Sequence, residues 1–383
     1  MKGRDYILFG IGPLEIIGIL FFFLIIILLP WIMRKRLIST TNSYALEIEN
    51  MVEDSKKIII KTAQDKGKPS HDPQLLVENF MEFFIIPPVE LDPYNIMKKF
   101  EKILEMGEER FEEMVDLIAP KASSKWKANI IMTLKATIGI NGVAKMVRHN
   151  LELAKKTGNL QILIMLQMSL PLIMRIVKAQ FEGTKAFSEG KPIGDGLGPL
   201  VASMLIKNCS EDDIHQREDV IYTVKKIDDR EVIIVRAQGP GARVGRIGKV
   251  IKSLINEKNI DRLLTIDAAV KLEGEKSGTI AEGVGVVIGG TGVDKWVVEE
   301  QFIEKDLKTD AIIVKMSPEE AISQMTLNIA EAAKKTIPIV KRSIQRSEEK
   351  SRIMVVGVGN SCGLPNIISD ISEINLKNSD KKE

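Results

Sequence analysis

The strongest constraint in this sequence is an uncharged apolar run that begins at Ile16 and ends at Met33. As an α-helix this run is about 27 Å long, which nearly matches the hydrocarbon core of a bilayer. Backbone N–H and C=O groups find no partners in lipid, so such a segment is stable there only as a helix. It exceeds the apolar part of a signal peptide, and no small-residue cleavage site follows it. The sequence therefore predicts one membrane span, with residues 1–37 as the anchor.

Basic residues on both sides of the run bear on its orientation. Lys2 and Arg4 precede it, whereas Arg34, Lys35 and Arg36 follow it directly. An excess of Lys and Arg marks the cytoplasmic side of a span. We therefore expect a single-pass protein of the cell membrane whose soluble part is cytoplasmic.

The rest of the chain has the composition of a soluble protein. Hydrophobic residues make up 44% of its 383 residues, yet the mean hydropathy is close to zero, so the apolar excess is local. A net charge of +2 without a basic cluster gives no reason to expect a nucleic-acid partner. Cys209 and Cys362 form no CxxC pair, which argues against a disulfide framework and a zinc site. We predict no metal and no cofactor.

Hydrophobic periodicity predicts a helical domain over residues 38–189, because apolar residues recur there every three or four positions. Residues 160–180 are hydrophobic enough for a second span, but Gln161, Gln167, Pro171 and Arg175 interrupt them. We favour a buried core helix for this stretch.

Between residues 190 and 368 glycine becomes frequent and short β-branched runs appear. These runs predict strands; they are VIYTVKKI, EVIIVRA, LLTID, VGVVIG, WVVEEQF, AIIVKM and IMVVGVG. Helical patterns lie between them at residues 198–207, 244–256 and 318–346. Such alternation predicts an α/β domain with a mainly parallel sheet. A flexible tail is expected at residues 369–383.

Three segments of this domain carry a polar side chain at a predicted strand or helix end, and two of them also contain glycines. Their candidate site residues are Gly194, Asp195, Asp267, Gly357, Gly359 and Asn360. Glycines allow close backbone approach, so loops of this kind expose polar groups towards a common crevice. A simpler interpretation of Asp195 is that it caps the helix after it. Asp267 directly follows an apolar run, where an unpaired carboxylate would be costly to bury.

The segments DGLGPLVASML, TIDAAV and VVGVGN resemble pieces of the phosphorylase/hydrolase-like fold of germination proteases and hydrogenase maturation proteases. This resemblance covers about half of the chain and requires a circular permutation, because the GVGN segment comes last here. It implies that Asp195 and Asp267 are the catalytic aspartates and that Asn360 lies in the glycine turn. The metal-binding histidine of the hydrogenase maturation branch has no match in this chain. The arrangement of the whole chain resembles an archaeal family of uncharacterised function, which implies no activity.

Two carboxyls that meet in one site would share a proton. Their repulsion splits their pKa values, so one can activate water while the other protonates a leaving group. The favoured function is therefore a hydrolase of peptidase type, with a protein or peptide as its substrate.

A loop at residues 238–249 supports a different function. It contains Gly239, Gly241, Arg243 and Arg246 and runs into a predicted helix, whose N-terminus would attract an anion. The loop fits neither GxxxxGK[ST] nor GxGxxG, and a tight turn with solvated basic residues is the simpler interpretation. The alternative is thus a non-enzymatic, membrane-tethered module that binds an anionic small molecule or a partner protein. The sequence gives no indication of the oligomeric state.

Overall fold

The computed structural model describes residues 13–89 and 95–377. Its backbone contacts define two compact units, residues 1–50 with 142–174 and residues 51–141 with 175–383. This division differs from the domain boundaries predicted at residues 37, 189 and 368, which stay predictions. Lys2, Arg4 and the last part of the predicted tail, residues 378–383, lie outside the described residues.

The helices that precede the sheet are long. They are α1 (Pro13–Gly67), α2 (Gln74–Phe80), α3 (Ile96–Ile118), α4 (Ser124–Thr157) and α5 (Leu160–Glu189). In α1 every side chain of the run from Ile16 to Met33 is exposed. Further along the same helix Thr41, Ala45 and Ile48 are buried, at the spacing of one helical face. α1 therefore joins a fully exposed apolar segment to an amphipathic one.

Three helices of the described chain, α1, α4 and α5, are long and apolar enough to cross a membrane by length and composition. The single span predicted in α1 therefore stays a prediction. The core helix predicted over residues 160–180 accounts for only one face of α5. On that face Leu163, Leu170 and Met174 are buried, while the opposite face is exposed and largely apolar.

The second unit contains a seven-stranded sheet in the order β1-β2-β3-β7-β4-β6-β5. The strands are β1 (His215–Arg217), β2 (Val220–Ile227), β3 (Arg230–Ala237), β4 (Arg262–Val270), β5 (Thr279–Val284), β6 (Lys308–Met316) and β7 (Arg352–Gly357). The four central strands β3, β7, β4 and β6 are parallel. β2 and β1 on one side and β5 on the other are antiparallel. The sheet is thus mixed, with the predicted parallel arrangement at its centre.

Helices cover both faces of the sheet. They are α6 (Leu197–Leu205), α7 (Ile247–Lys258), α8 (Val293–Lys305), α9 (Pro318–Ile322) and α10 (Leu327–Gln345). In β4, Leu264 and Ile266 belong to the core shared with α6 and α10, while Leu263 belongs to the core shared with α7 and α8. Burial on both faces explains why the central strands are continuous apolar runs.

Two predicted strands are wrong. WVVEEQF lies within α8, where Val293, Val297 and Gln301 are buried at every fourth position. This helical spacing extends beyond the β-branched run and is missed in a short window. Of VGVVIG, only Val284 belongs to a strand, because Gly285 has a φ of +108° and ends β5. The helical pattern at residues 318–346 forms two helices, α9 and α10.

Candidate active site

Helix α6 begins directly against the carboxyl ends of two central strands, β4 and β7. A Cβ atom on Gly198 would overlap the carbonyl oxygens of Val358 and Ile266, and one on Gly357 would overlap the carbonyl of Gly198. Only glycine permits such an approach of backbone to backbone. This contact places the 3-10 turn Gly194–Gly196, which precedes α6, at the ends of the strands.

Asp195 lies in that turn and forms a hydrogen bond to the residues that follow β7. Its Oδ2 atom accepts a hydrogen bond of 2.9 Å from the backbone N–H of Asn360, which follows β7. Gly359 has a φ of +131°, and a Cβ there would overlap the carbonyl of Asp195. Burial raises the pKa of the Asp195 carboxyl, and the bond from Asn360 acts in the opposite direction. Asp195 therefore joins the turn to the last strand, and its carboxyl is not the cap of α6.

Asp267 is the second carboxyl at this end of the sheet. It follows Ile266, which pairs with Gly357 of β7, and it is only 2% exposed. Its Oδ1 accepts from the N–H of Ala268 at 2.7 Å, and its Oδ2 accepts from the N–H of Gly289 at 2.9 Å. Burial, and next the negative charge of Asp195, raise the pKa of Asp267 to about 8 despite these two bonds. The charge of Asp195 thus acts on the carboxyl of Asp267.

Asn360 is the third polar residue of the site and is 1% exposed. Its side-chain Oδ1 accepts from the N–H of Cys362 at 2.9 Å. Its Nδ2 is buried and has no acceptor among the described residues. The site therefore contains an unused hydrogen-bond donor beside a carboxyl pair.

The segment that follows β5 is held to β4 by side chains, which sequence analysis missed. The Oγ1 of Thr265 accepts from the N–H of Val287 at 3.1 Å, two residues before the bond from Gly289 to Asp267. Thr265 and Asp267, two residues apart on β4, thus accept hydrogen bonds from two N–H groups that are also two residues apart on this segment. Gly289, which donates to the buried carboxyl of Asp267, and the next residue Gly290 are exposed. The signal in the sequence is the Thr-x-Asp spacing at the end of β4.

The glycine loop with Gly239, Gly241, Arg243 and Arg246 follows β3, and its backbone N–H groups are used inside the protein. The N–H of Gly239 donates to Asn366 at 2.9 Å. Three residues later, the N–H of Ala242 donates to the side chain of Asn129 at 2.8 Å.

Ser361 connects this loop to the candidate site. Its hydroxyl lies 2.7 Å from the carbonyl of Gln238 and 2.8 Å from that of Gly241, and its N–H donates to the carbonyl of Arg243. Ser361 follows Asn360 directly, so the loop after β3 and the turn after β7 form one connected structure.

The basic residues of the loop are paired with acids. Arg243 Nε lies 3.0 Å from Asp219, and Arg246 lies 2.8 Å from Glu105. Both arginines that were predicted to bind a ligand are thus in ion pairs within the chain, with acids other than Asp195 and Asp267.

Arg236, near the end of β3, was not singled out from the sequence. It is fully buried and donates to the carbonyls of Ala237 at 2.8 Å, Pro365 at 2.9 Å and Leu364 at 3.1 Å. Burial lowers the pKa of its guanidinium to about 9. Arg236 therefore fixes the chain that follows Asn360.

The described residues contain no group of three or more His, Cys, Asp or Glu side chains that could hold a metal ion. The groups gathered at the strand ends are acid–base groups and hydrogen-bond donors. Two buried carboxyls with raised pKa values, together with an amide donor, can transfer protons to and from a polar, uncharged ligand.

Fold and site together define a protein with a long apolar helix and a mixed α/β domain that carries a carboxyl pair where its central parallel strands end. Residues 15–190 match the family described as "Protein of unknown function (DUF1512) N-terminal domain". Residues 193–365 match its partner, "Domain of unknown function (DUF1512) C-terminal". The two matches cover most of the chain, which belongs to the DUF1512 family. No curated protein and no solved structure matches it. The likeness to germination and hydrogenase maturation proteases, and an archaeal character of the family, stay predictions.

Proposed function

We propose that this chain is a membrane-anchored hydrolase that cleaves peptide bonds with Asp195 and Asp267. The observation that carries the proposal is the effect of the Asp195 charge on the enclosed carboxyl of Asp267, at the ends of the central strands. The charge of Asp195 helps to raise the pKa of Asp267 to about 8. Asp267 then keeps its proton at neutral pH, as the acid of an acid–base pair requires.

In the proposed reaction ionised Asp195 removes a proton from a water molecule, whose oxygen bonds to the carbonyl carbon of the substrate. Protonated Asp267 gives its proton to the amide nitrogen as the C–N bond breaks, which yields a carboxylic acid and an amine. Asp195 then carries the proton taken from water and Asp267 is ionised, so transfer of this proton from Asp195 to Asp267 restores the starting state. The free Nδ2 of Asn360 would donate to the oxygen that becomes negative.

The proposal also assigns the anchor to α1 and the soluble part to the cytoplasm. The exposed apolar run of α1 has the length of a bilayer core. Arg34, Lys35 and Arg36 follow it directly, which favours a cytoplasmic location of everything after them.

The test uses the full chain in nanodiscs with unfolded casein and a mixture of synthetic peptides, and mass spectrometry detects new termini. We expect cleavage by the wild type, and a loss of about 100-fold or more in Asp195→Asn and in Asp267→Asn. Asp294→Asn is the matched control, because Asp294 is also partly buried with a raised pKa but accepts its bond from Gly248. Absence of cleavage by the wild type, or equal rates in the three variants, contradicts the proposal.

The alternative, a non-enzymatic module that binds an anionic small molecule or a partner protein, has less support. Its basic residues Arg243 and Arg246 are already paired with acids, and two backbone amides of its loop have acceptors. An anion would have to displace these partners.

A further inference from the structure

The turn between α4 and α5 lies next to the point where the apolar run of α1 ends. Arg34, the first residue after that run, donates to the carbonyl of Lys155 at 3.1 Å. Its guanidinium is also the nearest group to Gly158, where an added Cβ would lie 3.7 Å from it. Carbonyls in the last turn of a helix lack partners within the helix, so this bond closes the end of α4. The turn is thus fixed beside the residue at which the apolar run ends.

The turn is short and well defined. The N–H of Gly158, which has a φ of +72°, donates to the carbonyl of Ala154 at 3.0 Å and ends α4. Asn159 accepts from the N–H of Gln161 at 2.9 Å and begins α5. The first turn of α5 therefore begins at a defined position close to Arg34.

The surface of this hairpin has the chemistry of a membrane-facing element. In α5 Ile164, Met165, Met168 and Leu172 are exposed, and Met165 and Met168 are 62% and 78% exposed. Lys156 at the turn is exposed, as are Lys35 and Arg36 of α1. Lys35 lies over the ring of Trp31 at 4.0 Å, an arrangement suited to the headgroup region. Exposed apolar side chains beside basic ones match an anionic lipid surface.

We infer that the α4–α5 turn, with Lys156 and the first exposed apolar residues of α5, rests on the anionic surface of the bilayer that α1 enters. The inference rests on the proposed anchor and not on the proposed hydrolysis. Ile164 and Met165 begin about 6–8 Å from the start of α5, within the depth of a headgroup layer. Met168 and Leu172 lie progressively further along the helix. Contact with lipid should therefore decrease from Met165 to Met168.

The experiment measures lipid contact in the full chain with single fluorescent labels on cysteine, after replacement of Cys209 by serine. Cys362 stays, because it is buried and burial raises the pKa of its thiol to about 12, which makes it unreactive. Labels are placed at Met165, at Met168 and at Met146, an exposed methionine of α4 further from the turn. A label at Ile26 reports the anchor itself. The chains are placed in nanodiscs of phosphatidylcholine with phosphatidylglycerol, or of phosphatidylcholine alone, with quenchers on the headgroup or in mid-chain.

We expect headgroup quenching in the order Met165, Met168, Met146, and mid-chain quenching at Ile26 only. In phosphatidylcholine alone, or in Lys156→Glu, headgroup quenching at Met165 should fall about fivefold or more, as expected for the loss of one basic contact with an anionic surface. If the label at Ile26 is quenched and the label at Met165 is not, the inference is wrong, while the proposed anchor still holds. Mid-chain quenching at Met165 overturns it in favour of a second span, and crosslinks between copies at Met168 without lipid quenching overturn it in favour of a dimer contact. If the label at Ile26 is not quenched, both the proposed anchor and the inference that rests on it are wrong.

Discussion

At the scale of single residues, the protonation state of Asp267 is set by opposing effects. Two backbone N–H groups favour its ionised form, while burial and the charge of Asp195 favour its protonated form. A pKa of about 8 means that the second pair of effects is larger. At neutral pH Asp267 is therefore mainly protonated.

This raised pKa makes stability depend on pH. The folded pKa of Asp267 lies above its ordinary value of 3.8, so between about pH 4 and 8 the folded chain holds more protons than the unfolded chain. The stabilisation is complete at low pH and decreases as the pH rises to about 8. We expect the unfolding temperature of the wild type to fall relative to that of Asp267→Asn over this window. Thermal unfolding measured at a series of pH values checks this.

The matched control is Glu331→Gln, which changes an exposed acid on α10 and should follow the wild type. Curves for the wild type and Asp267→Asn that stay parallel from acid to alkaline pH would show that Asp267 ionises normally.

At the scale of secondary-structure elements, the site depends on the close contact of α6 with β7. Gly198 and Gly357 lie so near each other that a side chain on either would overlap the other's backbone or that of Val358. The contact sets the position of Asp195 relative to Asn360 and Asp267. Packing at this point therefore determines whether the carboxyls meet.

We expect Gly357→Ala to lower the free energy of unfolding by about 1–3 kcal/mol or more, because the added methyl group must push α6 away. Gly142→Ala is the control, since Gly142 is exposed in α4 and has open space around it. That change should be neutral or stabilising by up to about 1 kcal/mol. Chemical denaturation of both variants checks this, and equal effects would show that the α6–β7 contact is not tight.

Strands β2, β3, β4, β6 and β7 were predictable because they are rich in β-branched residues, and the central ones are buried on both faces. β5 was missed, since its sequence TIAEGV is mostly exposed and pairs only with β6. The strand predicted at WVVEEQF was wrong because, in a short window, the β-branched content outweighed the helical spacing of the buried residues. Local composition therefore predicts the centre of this sheet better than its edge.

The candidate site was predictable only in part. The sequence displays Asp195 and Asn360 beside glycines at strand or helix ends, and Asp267 directly after an apolar run. Arg236 and Ser361 act through carbonyls more than 100 residues away in the chain. Such partners depend on tertiary contacts that no local pattern contains.

At the scale of the whole molecule, a chain of the DUF1512 family combines an exposed apolar helix with an α/β unit. The proposed orientation has a direct consequence. Protease added to right-side-out cells should leave the part after α1 intact, whereas inside-out vesicles should lose it, as judged by an antibody against the C-terminal half. Detergent-treated cells provide the control in which this part is digested. Digestion in intact cells would contradict the orientation.

The most direct test of the carboxyl pair is the titration of Asp267 itself, followed by NMR of isotope-labelled aspartate side chains in the full chain. We expect one carboxyl carbon to titrate near pH 8, to disappear in Asp267→Asn, and to titrate at lower pH in Asp195→Asn, because the neighbouring charge is then gone. If every aspartate titrates near the ordinary value of about 4, and Asp195→Asn changes none of them, the two carboxyls do not share a proton.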